Sequence, residues 1–416
     1  MILITRFFFS RILPTRLYSF TIASTIGFVL FLCIPILGYS DFLEYSVLRF
    51  SIDIWLAYLS FLIGASIARI IFGRSVSLSI LPKPSPIFTR NAVRLCYFWV
   101  ITAWIVFILT DGPANSIDVI FGGYSHLDYI EEISAQVDNP SGLGILDAVK
   151  ILADNIFISL WVVYFLKAPK KATVIWFLYI ITTMDEYFSR SGIIGKALIP
   201  YIAYLVFYPP PKKHIAVQLA TAFSIIMIFM SWNSAVRIGK SYTFSPEIVI
   251  SDVIRDAGSS GVSASIILSE KIRGDPERYL LNLATFVIPR TIWKDKPAEQ
   301  YNYMITSILT GSRVGEGTSV ITSTMLGEAW YYFGWIGTVI LMFTFGFFTY
   351  LLEYHLSRNI LFVGLYLSMF FISIVYIRST FFDYFQQGII AIFTTLIFLF
   401  LRLSKLNKKL LQRQGK

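Results

Sequence analysis

Three short passages of this chain hold side chains able to do chemistry. The first, Pro289-Arg290-Thr291-Ile292-Trp293-Lys294-Asp295-Lys296-Pro297, sets three cations and an indole between two prolines. Proline fixes its backbone φ, so these cations are preorganised toward an anion and lose less freedom on meeting one. The second, Gly327-Glu328-Ala329-Trp330-Tyr331-Tyr332-Phe333-Gly334-Trp335-Ile336-Gly337, joins one acid to a run of aromatics. Trp and Tyr favour a membrane–water interface, which accounts for the rings and leaves Glu328 unexplained. The third is Asp185, Glu186 and Arg190, charged residues between two apolar stretches. Arg190 is read as part of an outward-opening anion site, with an ion pair to Asp185 or Glu186 as the structural alternative. Lys150 and Asp154, one helical turn apart, are expected to pair with each other. His126, His214 and His355 are far apart, and neither Cys33 nor Cys96 has a His or Cys partner at ligand spacing, so no zinc site and no disulfide framework is expected.

The elements that must hold these residues are membrane spans. Of 416 residues, 56% are hydrophobic and 14% charged, with a mean hydropathy of +0.67. A soluble chain would be about 25% charged, so composition argues against a water-soluble enzyme. Crossing about 30 Å of hydrocarbon takes roughly 20 apolar residues in a helix. On that criterion ten runs are candidates: Leu17–Leu37, Phe50–Phe72, Leu95–Thr110, Ala148–Phe165, Ala172–Met184, Gly192–Phe207, Ile215–Trp232, Phe333–Leu352, Ile360–Ile377 and Gly388–Leu401. The expected fold is an all-α polytopic membrane protein. The fifth run makes only about 20 Å of helix, which draws the turn bearing Asp185 and Arg190 below the outer surface.

The net charge of +10 resolves by position. With the N-terminus inside and sides alternating, the inner segments carry nineteen Lys and Arg, and the short outer loops carry only Arg49, Arg190 and Arg378. That asymmetry is the positive-inside signature, and it places both termini in the cytoplasm. The basic run Lys405–Lys416 is then a membrane flank resting on anionic headgroups, and no nucleic-acid partner is implied. No cleavable signal peptide is evident, so the first run is expected to stay as an anchor. The chain divides into residues 1–232 with seven spans and short loops, a large outer loop at 233–332, and residues 333–416 with three spans and a basic tail.

The outer loop reads as helical. Ser245-Pro246-Glu247 has the form of an N-cap, a first-turn proline and an acid, and that helix is expected to end near Gly258. Glu277–Ile288 places Leu280, Leu281, Leu283, Ala284, Val287 and Ile288 at helical spacing. Such a helix lies at the membrane surface or caps the bundle, or else belongs to a small subdomain packed on itself.

Phe188-Ser189-Arg190-Ser191-Gly192, Pro289-Arg290-x-x-Trp293-x-x-Lys296-Pro297, and Gly327-Glu328 followed by Phe333-Gly334 and Gly337 together resemble the Wzy-type O-antigen and exopolysaccharide repeat-unit polymerases. Many spans, cytoplasmic termini and one dominant late outer loop agree with that family. The likeness covers roughly Ala172–Leu352. It implies a GT-C-like fold in a bacterial inner membrane, acting in lipopolysaccharide or related polysaccharide biosynthesis. It also implies oligosaccharide units linked through pyrophosphate to undecaprenol as substrates, with no cofactor and no metal. A flippase and a chain-length regulator of the same pathway are the implied partners.

The residues fit that chemistry. As a glycosidic bond to pyrophosphate breaks, negative charge grows on the leaving group, and Arg forks match phosphate oxygens in bidentate fashion. The candidates are Arg190, Arg237, Arg290 and Arg313, with Lys294 and Lys296 behind them. For a base at the acceptor hydroxyl Glu328 stands first and Glu316 second. Trp293, Tyr301, Tyr303, Trp330 and Tyr331 are candidates for stacking on sugar faces or, equally, for interface anchors. O-antigen ligases share the architecture and resemble one another in a His in the main outer loop. No His lies between Asn233 and Tyr332 here, which favours a polymerase over a ligase. A flippase of lipid-linked oligosaccharide is the other alternative, disfavoured because no internal repeat is evident and alternating access does not require a long cation-rich outer segment.

Overall fold

The computed structural model describes residues 19–34, 36, 47–75, 78, 81, 84–109, 143–182, 190–208, 221, 224, 246–286, 288, 292–293, 301–312 and 321–414, with backbone alone at 143–150, 190–195, 246, 248–250, 252–257 and 401–414. These residues form twelve α-helices and no strand. α1 (Phe20–Phe28) is capped by Ser19, whose hydroxyl accepts the Ile22 N–H at 3.2 Å, and continues as a π-helical turn over Val29–Cys33. α2 (Val47–Phe72) and α3 (Pro86–Leu109) are long apolar helices. α4 (Leu143–Lys167) and α5 (Pro169–Ile181) are parted by Ala168 alone, because Pro169 has no N–H to continue a ladder and opens the next helix instead. α6 is Arg190–Phe207, α7 Pro246–Ser269, α8 Pro276–Thr285, α9 Tyr301–Thr310 and α10 Met325–Leu356. A 3₁₀ turn at Ile360–Phe362 leads into α11 (Val363–Val375), and α12 is Phe381–Gln414.

α2, α3, α10 and residues Phe381–Phe400 of α12 are long and apolar enough to cross a membrane. Leu48, Ile70, Phe98, Leu109 and Phe400 turn large apolar side chains outward from them. A bilayer is the surrounding that accepts such faces without penalty, so the chain is a helical membrane protein. The run Ile215–Trp232 lies outside the described residues. The other nine apolar runs each fall on a described helix.

Two helices organise the bundle. α10 packs along the length of α2, and it also meets α1, α7, α8, α11 and α12. The α2–α10 crossing is close enough to need glycine on both sides. A Cβ on Gly64 would lie 2.0 Å from the Phe343 carbonyl oxygen, and one on Gly346 would lie 2.0 Å from that of Phe61. Small residues at a crossing let backbones approach where lipid gives no hydrophobic drive. α4 is the second centre, packed by α3, α5, α11 and α12. Its Phe157 and Trp161 stack with Trp176 of α5 at centroid distances of 5.8 and 4.7 Å. α11 links the two centres.

Three elements differ from the sequence expectation. The helix expected to stop near Gly258 runs on to Ser269, since Gly258, Ser260 and Ala264 are buried and tertiary packing outweighs the low propensity of a Gly/Ser-rich stretch. α9 had no sequence signal. The eighth run, expected to begin at Phe333, is preceded by a further stretch of helix, Met325–Phe333, set off by a break.

That break is Gly334, at φ 71° and ψ −155°, a conformation open essentially to glycine alone. A Cβ on Gly337 would lie 2.6 Å from the Ala329 carbonyl oxygen, although eight residues of unbroken helix rise about 12 Å. Residues 325–333 therefore bend sharply back against 335–356, and the latter alone supply about 33 Å of helix, enough to span. The Met325 N–H donates to the Ile377 carbonyl at 3.1 Å, and Ile377 packs on Gly27 of α1. The first stretch of α10 thus starts against α1 and the turn between α11 and α12, as a half-helix folded back on the span and carrying Glu328.

Candidate functional site

The half-helix is fixed at both ends by local chemistry. At its start Thr324 caps it, accepting the Gly327 N–H at 3.3 Å. α9 holds the preceding segment, where Thr306 Oγ1 accepts the Ile321 N–H at 2.7 Å and Asn302 Oδ1 the Ser323 N–H at 3.4 Å. At its end the break at Gly334 frees carbonyls that an unbroken helix would satisfy. Arg273 Nη1 donates to Trp330 O, and the Gly274 N–H donates to Tyr331 O at 2.9 Å. The Arg273 guanidinium also covers the Trp330 ring at 4.6 Å, a cation at a helix C-terminus where the dipole favours one. Partial burial lowers the pKa of that guanidinium.

Glu328 is completely buried. Oε2 accepts the Phe381 N–H at the start of α12, which joins the half-helix to the last span. Oε1 makes no well-formed hydrogen bond. Around it stand Tyr279 of α8, Tyr301 of α9 and Asp383 of α12. Tyr279 stacks on Tyr332 at 4.3 Å, Tyr301 lies 5.5 Å from Tyr331, and Tyr331 meets Tyr332 edge-on at 4.8 Å. Burial first, then the neighbouring Glu328 carboxylate, raises the Tyr279 phenol well above its ordinary pKa. Burial does the same to Tyr301, against the Ser323 hydroxyl beside it.

Five buried polar atoms here lack a well-formed partner: Tyr279 Oη, Tyr301 Oη, Ser323 Oγ, Glu328 Oε1 and Trp330 Nε1. Native interiors leave few such atoms, and each one costs about 1–3 kcal/mol. Tyr279 Oη faces the Glu328 carboxylate and Tyr301 Oη faces Ser323 Oγ, so these are loosely made pairs that can exchange partners. The cluster offers an indole donor, three hydroxyls that both donate and accept, and a carboxylate oxygen that accepts.

Of the sequence candidates, the structure gathers Glu328, Tyr301, Trp330 and Tyr331 into this cluster, and all four are buried instead of anchored at an interface. Trp293 and Tyr303 are half-buried, with Tyr303 two residues on from Tyr301 and so on a different face of α9. Arg237, Arg290, Lys294, Lys296, Arg313 and Glu316 lie outside the described residues, as do Asp185 and Glu186. Arg190 opens α6, with its side chain undescribed. Arg273, Tyr279, Ser323 and Asp383 are part of the site without having been singled out by the sequence. On α8 the buried face is Tyr279 and Asn282, while Leu280 and Leu281 point outward, as suits a helix capping the bundle.

The second charged group at depth gains a partner the sequence did not suggest. Asp154 Oδ2 pairs with Lys196 of α6 at 3.3 Å, and Oδ1 accepts the Tyr179 hydroxyl of α5. Three helices meet there, so a partner comes from a neighbouring helix; the Lys150 side chain, one turn earlier on α4, lies outside the described residues. Replacing Lys196 by Met should strand that carboxylate. Discounted for its partial exposure, 23% for Lys196 and 19% for Asp154, the loss is about 2 kcal/mol. A lower melting midpoint in detergent, recovered by adding Asp154→Leu, is the expected result; an unchanged midpoint for Lys196→Met contradicts it.

Comparison of the chain with protein-family models, with curated proteins and with solved structures returns no match in any of the three.

Proposed function

We propose that this protein is an integral-membrane glycosyltransferase that joins pyrophosphate-linked oligosaccharide units into a polymer on the outer face of a bacterial inner membrane. The buried Glu328, in a cluster of hydroxyls and aromatic rings on a half-helix folded back against its own span, carries the proposal. Sugars are recognised by such mixtures of rings and hydroxyl partners, and intramembrane carboxylates are costly unless they work.

The acceptor hydroxyl oxygen forms a bond to the anomeric carbon of the donor while the anomeric C–O bond to pyrophosphate breaks. The bonding pair leaves on the pyrophosphate oxygen, and the hydroxyl proton passes to Glu328 Oε1. Arg190, Arg237, Arg290 and Arg313, with Lys294 and Lys296, are the proposed countercharge to the leaving group. Trp330, Tyr301 and Tyr331 line the sugar path, and Trp293 and Tyr303 lie further along it. Ten spans, a GT-C-like arrangement and cytoplasmic termini belong to the same proposal.

Purified protein in detergent, given lipid-linked repeat units, is expected to yield a ladder of lengthening glycans with release of lipid pyrophosphate. Substrate that stays monomeric while partner enzymes are active defeats the proposal. Substrate that crosses a bilayer without growing points to a flippase instead. Orientation is checked separately: a reporter fused after Lys240 should read the periplasmic side, and a cytoplasmic signal overturns the topology.

A further inference from the structure

Glu328 Oε1 is sealed, so no hydroxyl arriving from outside reaches it while residues 325–333 hold their place. Something must release the half-helix, and its outer end is held by one charged side chain. Arg273 gives its guanidinium to a carbonyl oxygen and a ring, both uncharged partners. The absence of a side chain at Gly334 leaves room for it, since a Cβ there would lie 3.0 Å from Arg273 Nη2. Two residues earlier Lys271 is exposed and held at φ 53°, which adds a second cation to the same turn between α7 and α8.

Phosphate offers a guanidinium two charged oxygens in bidentate geometry, where the Trp330 carbonyl offers a single neutral acceptor. A phosphate group arriving at this turn therefore competes well against Trp330 O. Losing that contact leaves the freed carbonyls of the break with the Gly274 amide alone, and the outer end of the half-helix loses its one charged tie.

We propose that Arg273, assisted by Lys271, is a docking point for a diphosphate, and that transfer of its guanidinium from Trp330 O to the diphosphate unlatches Met325–Phe333 and opens Glu328. The proposal rests on the transferase reading only for the source of that diphosphate, the lipid-linked donor. It makes the base available when a donor is loaded and keeps it closed otherwise, an equilibrium biased by differential binding to two states.

Carbodiimide labelling of the full chain in nanodiscs, read by peptide mass spectrometry, tests this without requiring any transfer. Glu353, a buried carboxylate held by the Phe20 N–H at 3.0 Å and the Ser75 hydroxyl at 3.1 Å near the other end of α10, is the internal reference. In phosphatidylcholine nanodiscs, inorganic pyrophosphate should speed labelling of Glu328 about tenfold, a usual size for coupling between sites, and leave Glu353 unchanged. Arg273→Gln should label fast from the outset and ignore pyrophosphate. Arg273→Lys, which keeps the charge and loses the fork, should respond less than wild type. Should Arg273→Gln also speed labelling of Glu353, the variant is unfolded, and the wild-type response and Arg273→Lys decide.

No pyrophosphate response in wild type, or a full response surviving in Arg273→Lys and Arg273→Gln, overturns the proposal. Faster labelling in phosphatidylglycerol nanodiscs without pyrophosphate also overturns it, assigning the turn to ordinary phospholipid headgroups. A positive labelling result with no glycan ladder would retain the latch and discard the transferase.

Discussion

Glu328→Gln should abolish chain growth while leaving a folded protein in the membrane. Glutamine is nearly isosteric, and its side-chain oxygen can still accept the Phe381 N–H that ties the half-helix to α12. What it cannot do is accept a proton from a hydroxyl. A positioned base contributes about 10²–10⁴-fold, so the ladder should fall by that factor at unchanged protein level and melting midpoint. Glu328→Ala differs in kind, because it also leaves the Phe381 N–H without its acceptor, a cost of about 1–3 kcal/mol. Comparing the two separates chemistry from support. If Glu328→Gln polymerises normally and Glu328→Ala merely melts earlier, Glu328 is a structural tie. Glu353→Gln is the companion measurement: it alters an equally buried carboxylate on the same helix and should retain the ladder.

How far the sequence reached toward this site follows from the range of each interaction. Hydropathy is a local sum over about 20 residues, so the apolar runs are visible in the sequence, and nine of the ten fall on described helices. Glu328 was visible because a lone acid among interface aromatics has no bland explanation. Tyr279 and Arg273 were not, since each earns its place from a contact more than fifty residues away, at Tyr332 and Trp330. Taken alone, Arg273 is one of ten cations in a loop balanced by ten acids. Gly334 was legible as part of a motif, but a glycine announces only permission to adopt positive φ. That α10 uses this permission to turn back depends on α7, α8 and α12 lying where they do. The Lys196 partner of Asp154 was hidden for the same reason: the i, i+4 rule ranks neighbours on one helix and says nothing of a Lys on another.

Gly346→Val should be the most damaging single change in the bundle outside the site. The Cβ of any residue there meets the Phe61 carbonyl oxygen at 2.0 Å, the Phe61 carbonyl carbon at 2.8 Å and its Cα at 3.0 Å. These are backbone atoms of α2, which no rotamer change can move. Gly64 faces the matching obstacle in the Phe343 carbonyl. The two helices would have to part along a seam that buries Phe61, Leu62, Ala65 and Ala68 on one side and Leu341, Met342 and Phe345 on the other. Overpacking a core usually costs about 1–3 kcal/mol, and a backbone obstacle places this case at or above the upper end. Gly346→Ala already brings the contact, so its melting midpoint in detergent should fall, and Gly346→Val should not yield a monodisperse peak on size exclusion. Gly64→Ala and Gly346→Ala should combine to less than the sum of their separate losses, because helices parted by one substitution have made room for the other. Additive losses would mean that the two glycines do not share a crossing. A Gly346→Val protein as stable as wild type would mean that α10 does not cross α2 at this point, and the half-helix would lose the support that holds Glu328 in the bundle.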